Sequence, residues 1–233
     1  MQIRPSLAQF SFDAARFDEL RRRVVDGSLD PSANRLARPP RPLVEPPVDL
    51  RREAPGAADR RDRLAGRGEA ALRAGKVAIL VLNGGMATRF GGEPKGVVPL
   101  VEGERETFLW AKLRQVVRLA GFNMAEIPVV VMHSFATAAA SEQHLDEIDW
   151  AGLPKHLRHS FTQSVMPRVT PSGVPLHELP GGDHLPDHVV YCAPGHGDTL
   201  ARLRDSGILR KLREDGIEHL LVSNVDNLGA ELE

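Results

Sequence analysis

Val77-Ala-Ile-Leu-Val-Leu-Asn-Gly-Gly-Met-Ala-Thr-Arg-Phe-Gly-Gly-Glu-Pro-Lys-Gly96 decides how the rest of the chain is read. Its first six residues are apolar without alternation, the pattern of a strand buried on both faces of a parallel sheet. The strand runs into Asn83-Gly84-Gly85, then a polar turn with Gly91-Gly92, then Pro94-Lys95. Glycines at the carboxyl end of such a strand let backbone N–H groups close on a ligand, and a nest of those groups attracts anions. Arg89 and Lys95 add two cations to the same loop, which suits it to a polyphosphate. Two common phosphate loops are excluded. Gly85 and Gly91 are too far apart for G-x-x-x-x-G-K-S/T, Lys95 follows proline, and G-x-G-x-x-G does not occur here. A tight strand-to-helix turn without a ligand is the plainer alternative.

Working outward, residues 107–120 predict a helix with Thr107 as N-cap and Gly121 just past its end. Phe108, Ala111, Val116 and Ala120 help to form its buried side. Ile127-Pro-Val-Val-Val-Met132 reads as a second buried strand, followed by His133-Ser-Phe-Ala-Thr137 and a helix to about Leu145. A third strand is expected over 158–163, helices from about Thr199 and over 208–214, and a last strand over 218–223. Residues 189–192 are short and apolar, and the proline-punctuated stretch 167–186 takes no assignment beyond a turn at Thr170-Pro-Ser-Gly. Strand, loop and helix in this rhythm build an open α/β sheet with right-handed connections.

Before the first strand, residues 12–25 suggest a short amphipathic helix with Phe17, Leu20 and Val24 on one face and Gly27 as its stop. Seven prolines between Pro31 and Pro55 preclude continuous helix or central strand there, and residues 56–74 look helical again. Residues 1–75 are therefore expected to be a helical, proline-rich extension, and 76–233 the α/β domain portion. The first 75 residues hold fifteen arginines and no lysine against eleven acids. With the acids interleaved, this reads as a solvated, salt-bridged surface rather than a nucleic-acid arm. A net charge of −1 agrees, pointing to neither nucleic acid nor a membrane surface. One cysteine, Cys192, fits a reducing compartment, and the first residues lack the apolar core of a signal peptide. The expectation is a cytoplasmic protein.

Ligands of open α/β sheets bind beyond the carboxyl ends of the strands. At the last of these ends lies Ser223-Asn-Val-Asp-Asn-Leu-Gly229, where Asp226 is placed to hold a hard cation such as Mg²⁺ or to cap its own turn. Gly195-His-Gly-Asp198 precedes a helix and forms a second spot favourable to anions, with His196 within reach of a phosphate or a sugar hydroxyl. Gln163 follows the third strand with an amide able to read a base edge.

Taken in order, the Asn83-Gly-Gly loop, Met132-His-Ser-Phe, Gln163-Ser-Val-Met-Pro-Arg168, Pro194-Gly-His-Gly-Asp and Asn224-Val-Asp-Asn-Leu-Gly-Ala230 form five blocks over about 150 residues. That series resembles the UTP–glucose-1-phosphate uridylyltransferase (UDP-glucose pyrophosphorylase) family from about Lys76 onward. The resemblance implies a Rossmann-like, three-layer nucleotidyltransferase fold with a mostly parallel sheet. It also implies the reaction UTP + sugar-1-phosphate giving UDP-sugar and pyrophosphate, with Mg²⁺. Carried over residue by residue, Leu82, Asn83, Gly84, Gly85, Gln163 and Gly195 would hold the nucleotide. Lys95 and Arg89 would face the triphosphate, His196 and Asn224 the sugar phosphate, and Asp226 the metal.

The pattern departs from the glucose type in places. Ala87-Thr-Arg-Phe-Gly-Gly is closer to the loop of UDP-N-acetylhexosamine pyrophosphorylases, and His133 stands where the glucose type usually has Asn. Uracil is therefore a firmer expectation than glucose. The family also continues past the aspartate block, with further strands, a second phosphate-facing lysine and a C-terminal β-helix domain. The expectation is an incomplete chain of low or no activity by itself, with a non-catalytic UTP-binding module as the alternative.

Overall fold

A computed structural model describes residues 3–30, 32, 35–38, 41, 56–87 and 92–231. The proline-rich segment 31–55 therefore falls largely outside the described residues, as does Arg89. Helix α1 (Ala14–Val25) is capped by the Asp13 side chain, which accepts from Arg16 N, and Phe17 is its buried residue. Helix α2 (Ala57–Arg73) leads to Gly75, whose φ of 66° turns the chain into β1 (Val77–Asn83). The glycine loop then folds back as a short antiparallel ribbon, β2 (Met86–Ala87) with β3 (Glu93–Pro94), in which Met86 faces Pro94.

The chain continues through α3 (Phe108–Asn123), β4 (Val129–His133), α4 (Ala138–Glu147) and β5 (Arg158–Thr162). After these come β6 (Met166–Pro167), α5 (Asp187–Val190) and β7 (Tyr191–Cys192), then α6 (Thr199–Asp205), α7 (Ile208–Glu214) and β8 (His219–Asn224). The four long strands form one parallel sheet in the order β5-β4-β1-β8. From β1 the chain steps outward through β4 to β5, then returns to the other side of β1 for β8. A reversal of this kind opens a crevice at the carboxyl ends of the two strands that flank it. Those ends are Asn83 and Asn224.

Both faces of the sheet are covered. Val77, Ile79 and Val81 of β1 pack with Val129 and Val131 of β4 against Leu109, Leu113 and Val116 of α3. Ala78 and Leu80 pack with Val130, Met132 and Phe161 against Leu203 of α6 and Leu212 of α7. Alternate residues of one strand thus enter two different cores, which is why the apolar run is unbroken. A third cluster joins Leu7 near the N-terminus to Val165, Val190 and Tyr191.

Two element boundaries are corrected, and one unassigned stretch is resolved. Helix α3 buries Leu109, Lys112, Leu113 and Val116, a phase set by Thr107, whose Oγ1 accepts from Trp110 N at 3.2 Å. Val116 is buried as expected, Phe108 and Ala120 pack half-buried against the same core, Ala111 is half-buried, and the helix passes Gly121 to end at Met124 with φ of 49°. The second strand begins at Val129 because Pro128 has no N–H for a ladder, though its carbonyl accepts from Ile79 N at 2.9 Å. Residues 189–192 divide between the end of α5 and β7, and β7 pairs with β6 across the 167–186 stretch.

Candidate active site

The base of the glycine loop is built from buried polar groups. Asn83 is fully buried, and its Nδ2 donates to Ser141 Oγ at 2.9 Å and faces His133 Nδ1 at 3.2 Å. With Asn83 donating, the His133 proton sits on Nε2, which lies 3.2 Å from Glu142 Oε1. That contact is off the line of a well-formed hydrogen bond, yet it is the largest reason the Glu142 carboxyl lies below its ordinary range. Thr137 Oγ1 donates to the Asn83 carbonyl at 3.0 Å. The side chain of Asn83 is therefore turned into the domain, where it supports the loop rather than facing the crevice.

Gly84 and Gly85 then do different work. A Cβ at Gly84 would stand 2.5 Å from Gln163 Oε1, so only glycine lets the loop lie against that amide. Gln163 is itself buried: its N donates to His133 O at 2.8 Å, and its Nε2 to Gly195 O at 2.7 Å. Beside it, Asp198 accepts from Ser164 N at 2.7 Å and lies 3.3 Å from Ser164 Oγ. Gly85 O accepts from Lys95 N at 3.0 Å, which closes the ribbon and sets Lys95 at the start of a 3-10 turn, Lys95–Val97.

From that turn Lys95 Nζ reaches Asp226 Oδ2 at 2.7 Å. Asp226 arrives from the other flank of the crevice, two residues beyond β8, after Val225 has been buried and its N has donated to Leu82 O at 3.1 Å. The hydrogen bond from Lys95 holds the Asp226 carboxyl below its ordinary value, so it is ionised at neutral pH. His196 stands exposed in the 3-10 turn His196–Asp198, and Asn224 is exposed at the end of β8, in register with Leu82. The structure thus gathers Gly84, Gln163 and Gly195 on one side, Gly85, Lys95 and Asp226 on the other.

Among the described residues, no three His, Cys, Asp or Glu side chains converge as a self-sufficient metal cage. One exposed carboxylate beside an anion-binding loop instead suits Mg²⁺ that shares its coordination with phosphate oxygens and water. Asp226 fits that donor set.

Comparison with known proteins agrees with this geometry. Residues 53–233 match the family model described as UTP–glucose-1-phosphate uridylyltransferase. The chain belongs to that family. UTP–glucose-1-phosphate uridylyltransferase 2 of Dictyostelium discoideum is 36% identical over 160 residues, 67% of this chain and 30% of the relative. The enzyme of Saccharomyces cerevisiae is 38% identical over 156 residues, 66% of this chain and 30% of its own length. The chain thus spans less than a third of the length of either relative.

Solved structures give the same family neighbourhood. A Leishmania major UDP-glucose pyrophosphorylase variant in complex with UDP-glucose aligns with a TM-score of 0.57 at 28% identity, over 70% of this chain and 33% of that one. The uridine diphosphate N-acetylglucosamine pyrophosphorylase of Trypanosoma brucei aligns with a TM-score of 0.62 at 26% identity, over 74% and 36%.

Sequence reasoning alone gives Asp198 no role and passes over Glu142 and Ser141. An aspartate just before a helix reads as an N-cap, but Asp198 makes no capping bond and reaches Ser164 instead.

Proposed function

We propose that this protein is a uridylyltransferase that binds UTP and aligns it for attack by a sugar-1-phosphate, glucose-1-phosphate foremost. The observation that carries the reading is the meeting of Lys95 and Asp226, 2.7 Å apart, from opposite flanks of the crevice beside Gly84 and Gln163. In this reading Leu82, Gly84, Gly85, Gln163 and Gly195 hold the uridine, with Asn83 supporting the loop from below. Lys95 faces the triphosphate, a role the family resemblance extends to Arg89, while His196 and Asn224 approach the sugar phosphate. Mg²⁺, when bound toward Asp226, supplies further neutralisation of the phosphate charge.

An oxygen of the sugar phosphate attacks the α-phosphorus in line, and the bond to the β-phosphate oxygen breaks to release pyrophosphate. The residues of this chain form no covalent bond in that exchange. They hold two anions in line and offset the charge that gathers on the α-phosphate. We assign residues 76–233 to this nucleotide-binding unit and 1–75 to an extension whose described ends pack against it. Contacts of Leu7 with Tyr191 and of Leu72 with the β1 core support the packing. Among the described residues no helix is long and apolar enough to cross a membrane. With a single cysteine, the reading places the protein in the cytoplasm.

Isothermal titration of the 233-residue protein with UTP and Mg²⁺ tests the reading. Binding is expected, with UTP preferred over ATP, and Lys95→Ala should weaken it at least tenfold. No binding, or equal binding by the variant, would overturn it. The likeness to the T. brucei N-acetylglucosamine enzyme supports a second reading of the sugar, which pyrophosphate release with a panel of sugar-1-phosphates separates.

A further inference from the structure

Lys112 carries a charge that neither the fold nor the proposed reaction requires. It lies on the α3 face that packs on the sheet and is 3% exposed, in a position where an aliphatic side chain would satisfy the core. A buried ammonium is costly unless its donors are used. Here Nζ donates to Asn227 O at 2.6 Å and to Ala230 O at 2.7 Å. One turn further along the same helix face, Gln115 Nε2 donates to Leu228 O at 2.8 Å and to Glu231 Oε1 at 2.7 Å. Three carbonyls of the turn that follows Asp226 are therefore held by two side chains of α3.

The start of the same helix holds the other flank of the crevice. Phe108 N donates to Val98 O at 3.2 Å, and Val98 N to Lys95 O at 3.2 Å, so the turn carrying Lys95 is tied to α3. Asp226 is bracketed between Val225, anchored in the core, and Asn227, whose carbonyl Lys112 grips.

We propose that Lys112 is a positioning residue, which through Asn227 and Ala230 fixes the turn after β8 so that the Asp226 carboxylate faces Lys95 and the metal-bound phosphates. The inference rests on the reading of Asp226 as the carboxylate that meets the metal. Loss of the clamp leaves two carbonyls without their donor and frees the turn, while the loop that receives the uridine is untouched.

The test uses Mn²⁺ as the probe, followed by EPR as it binds the 233-residue protein in the presence of UTP. Lys112→Met should weaken Mn²⁺ binding about tenfold while UTP affinity without metal stays within about twofold of the parent, the difference of roughly 1.4 kcal/mol that tenfold represents. Leu72→Ala, a core truncation away from the turn, should lower the urea midpoint yet leave Mn²⁺ binding unchanged. Lys112→Gln, which keeps one donor, should fall between Met and the parent, and it replaces Lys112→Met if that variant does not fold.

Asp226→Asn separates the two ideas. If it leaves Mn²⁺ binding intact, the reading of Asp226 fails. If it removes Mn²⁺ binding while Lys112→Met and Lys112→Gln both bind as the parent does, the role of Lys112 alone is overturned. An equal loss in Leu72→Ala would also overturn it, because general loosening would then account for the effect.

Discussion

The two sides of the crevice are built by different means. On the side of Gln163 the contacts centre on buried side chains: Gly84 lies against the Gln163 amide, Gly195 accepts from it, and Asp198 holds the N of buried Ser164. On the other side, one ion pair spans the gap, with Lys95 42% and Asp226 36% exposed. A buried network is costly to rearrange because each broken bond strands a partner, whereas an exposed pair exchanges its partners for water or another ion at little cost. The first side is therefore suited to recognising one rigid shape, and the second to letting go of one ligand and taking another. A planar base and a polyphosphate make those two demands.

Gly84→Ala is the strongest way to break the comparison. The added methyl meets Gln163 Oε1, and the amide escapes only by giving up its bond to Gly195 O. Stranding such a buried partner costs about 1–3 kcal/mol, so UTP affinity should fall by roughly fivefold to somewhat over a hundredfold. Affinity for tripolyphosphate, which has no base, should stay the same. Equal losses for both ligands in calorimetry would show that the two sides are not separable.

Asp198→Ala should act on the same side with a smaller effect. It removes the carboxylate that accepts from Ser164 N at 2.7 Å but leaves Gln163 and Gly84 in place. A charge-assisted bond of this kind is worth about 1.5–3 kcal/mol in stability, to be read as a lower urea midpoint. The indirect effect on UTP should be about threefold, and Asp198→Asn should recover part of both. Parental values for Asp198→Ala in both measurements would mean that Ser164 needs no anchor.

How much of this was legible in the chain depends on how far apart the partners lie. Val77 to Leu82 declares its position because both faces are buried and no polar residue interrupts the run. The reversal of strand order follows from β8 pairing with β1, a contact across more than a hundred residues that no local pattern carries. Lys95 and Asp226 were expected to face one ligand from two loops, and they do lie together, whereas Gln163 carried no signal of its own outside the series of blocks. Asp198 carried no role in the sequence, because the bond that uses it comes from Ser164, 34 residues away. Lys112 was hidden most deeply. A charge inside an apolar helix face breaks the periodic pattern, and the carbonyls that justify it belong to a turn more than a hundred residues later. Arg4 is similar: it grips Gly182 O, Leu185 O and Asp187 from the far end of the chain.

The smallest expected effect lies in the Lys95–Asp226 pair itself. The bond from Lys95 depresses the folded-state pKa of Asp226, so the unfolded chain binds a proton here before the folded one does as pH falls. The pair's stabilisation is therefore complete above the ordinary carboxylate value of about 4 and lost as pH drops through the lower folded value. Because both side chains are well exposed, solvent and salt screen the pair, and its share of stability is small. Urea midpoints of the parent and Asp226→Asn should differ slightly at pH 7 and converge as pH falls below the depressed folded-state value. At neutral pH the same difference should shrink as salt is raised. A large difference that persists at high salt would mean that this pair is held as rigidly as the groups around Gln163, and the contrast between the two sides of the crevice would disappear.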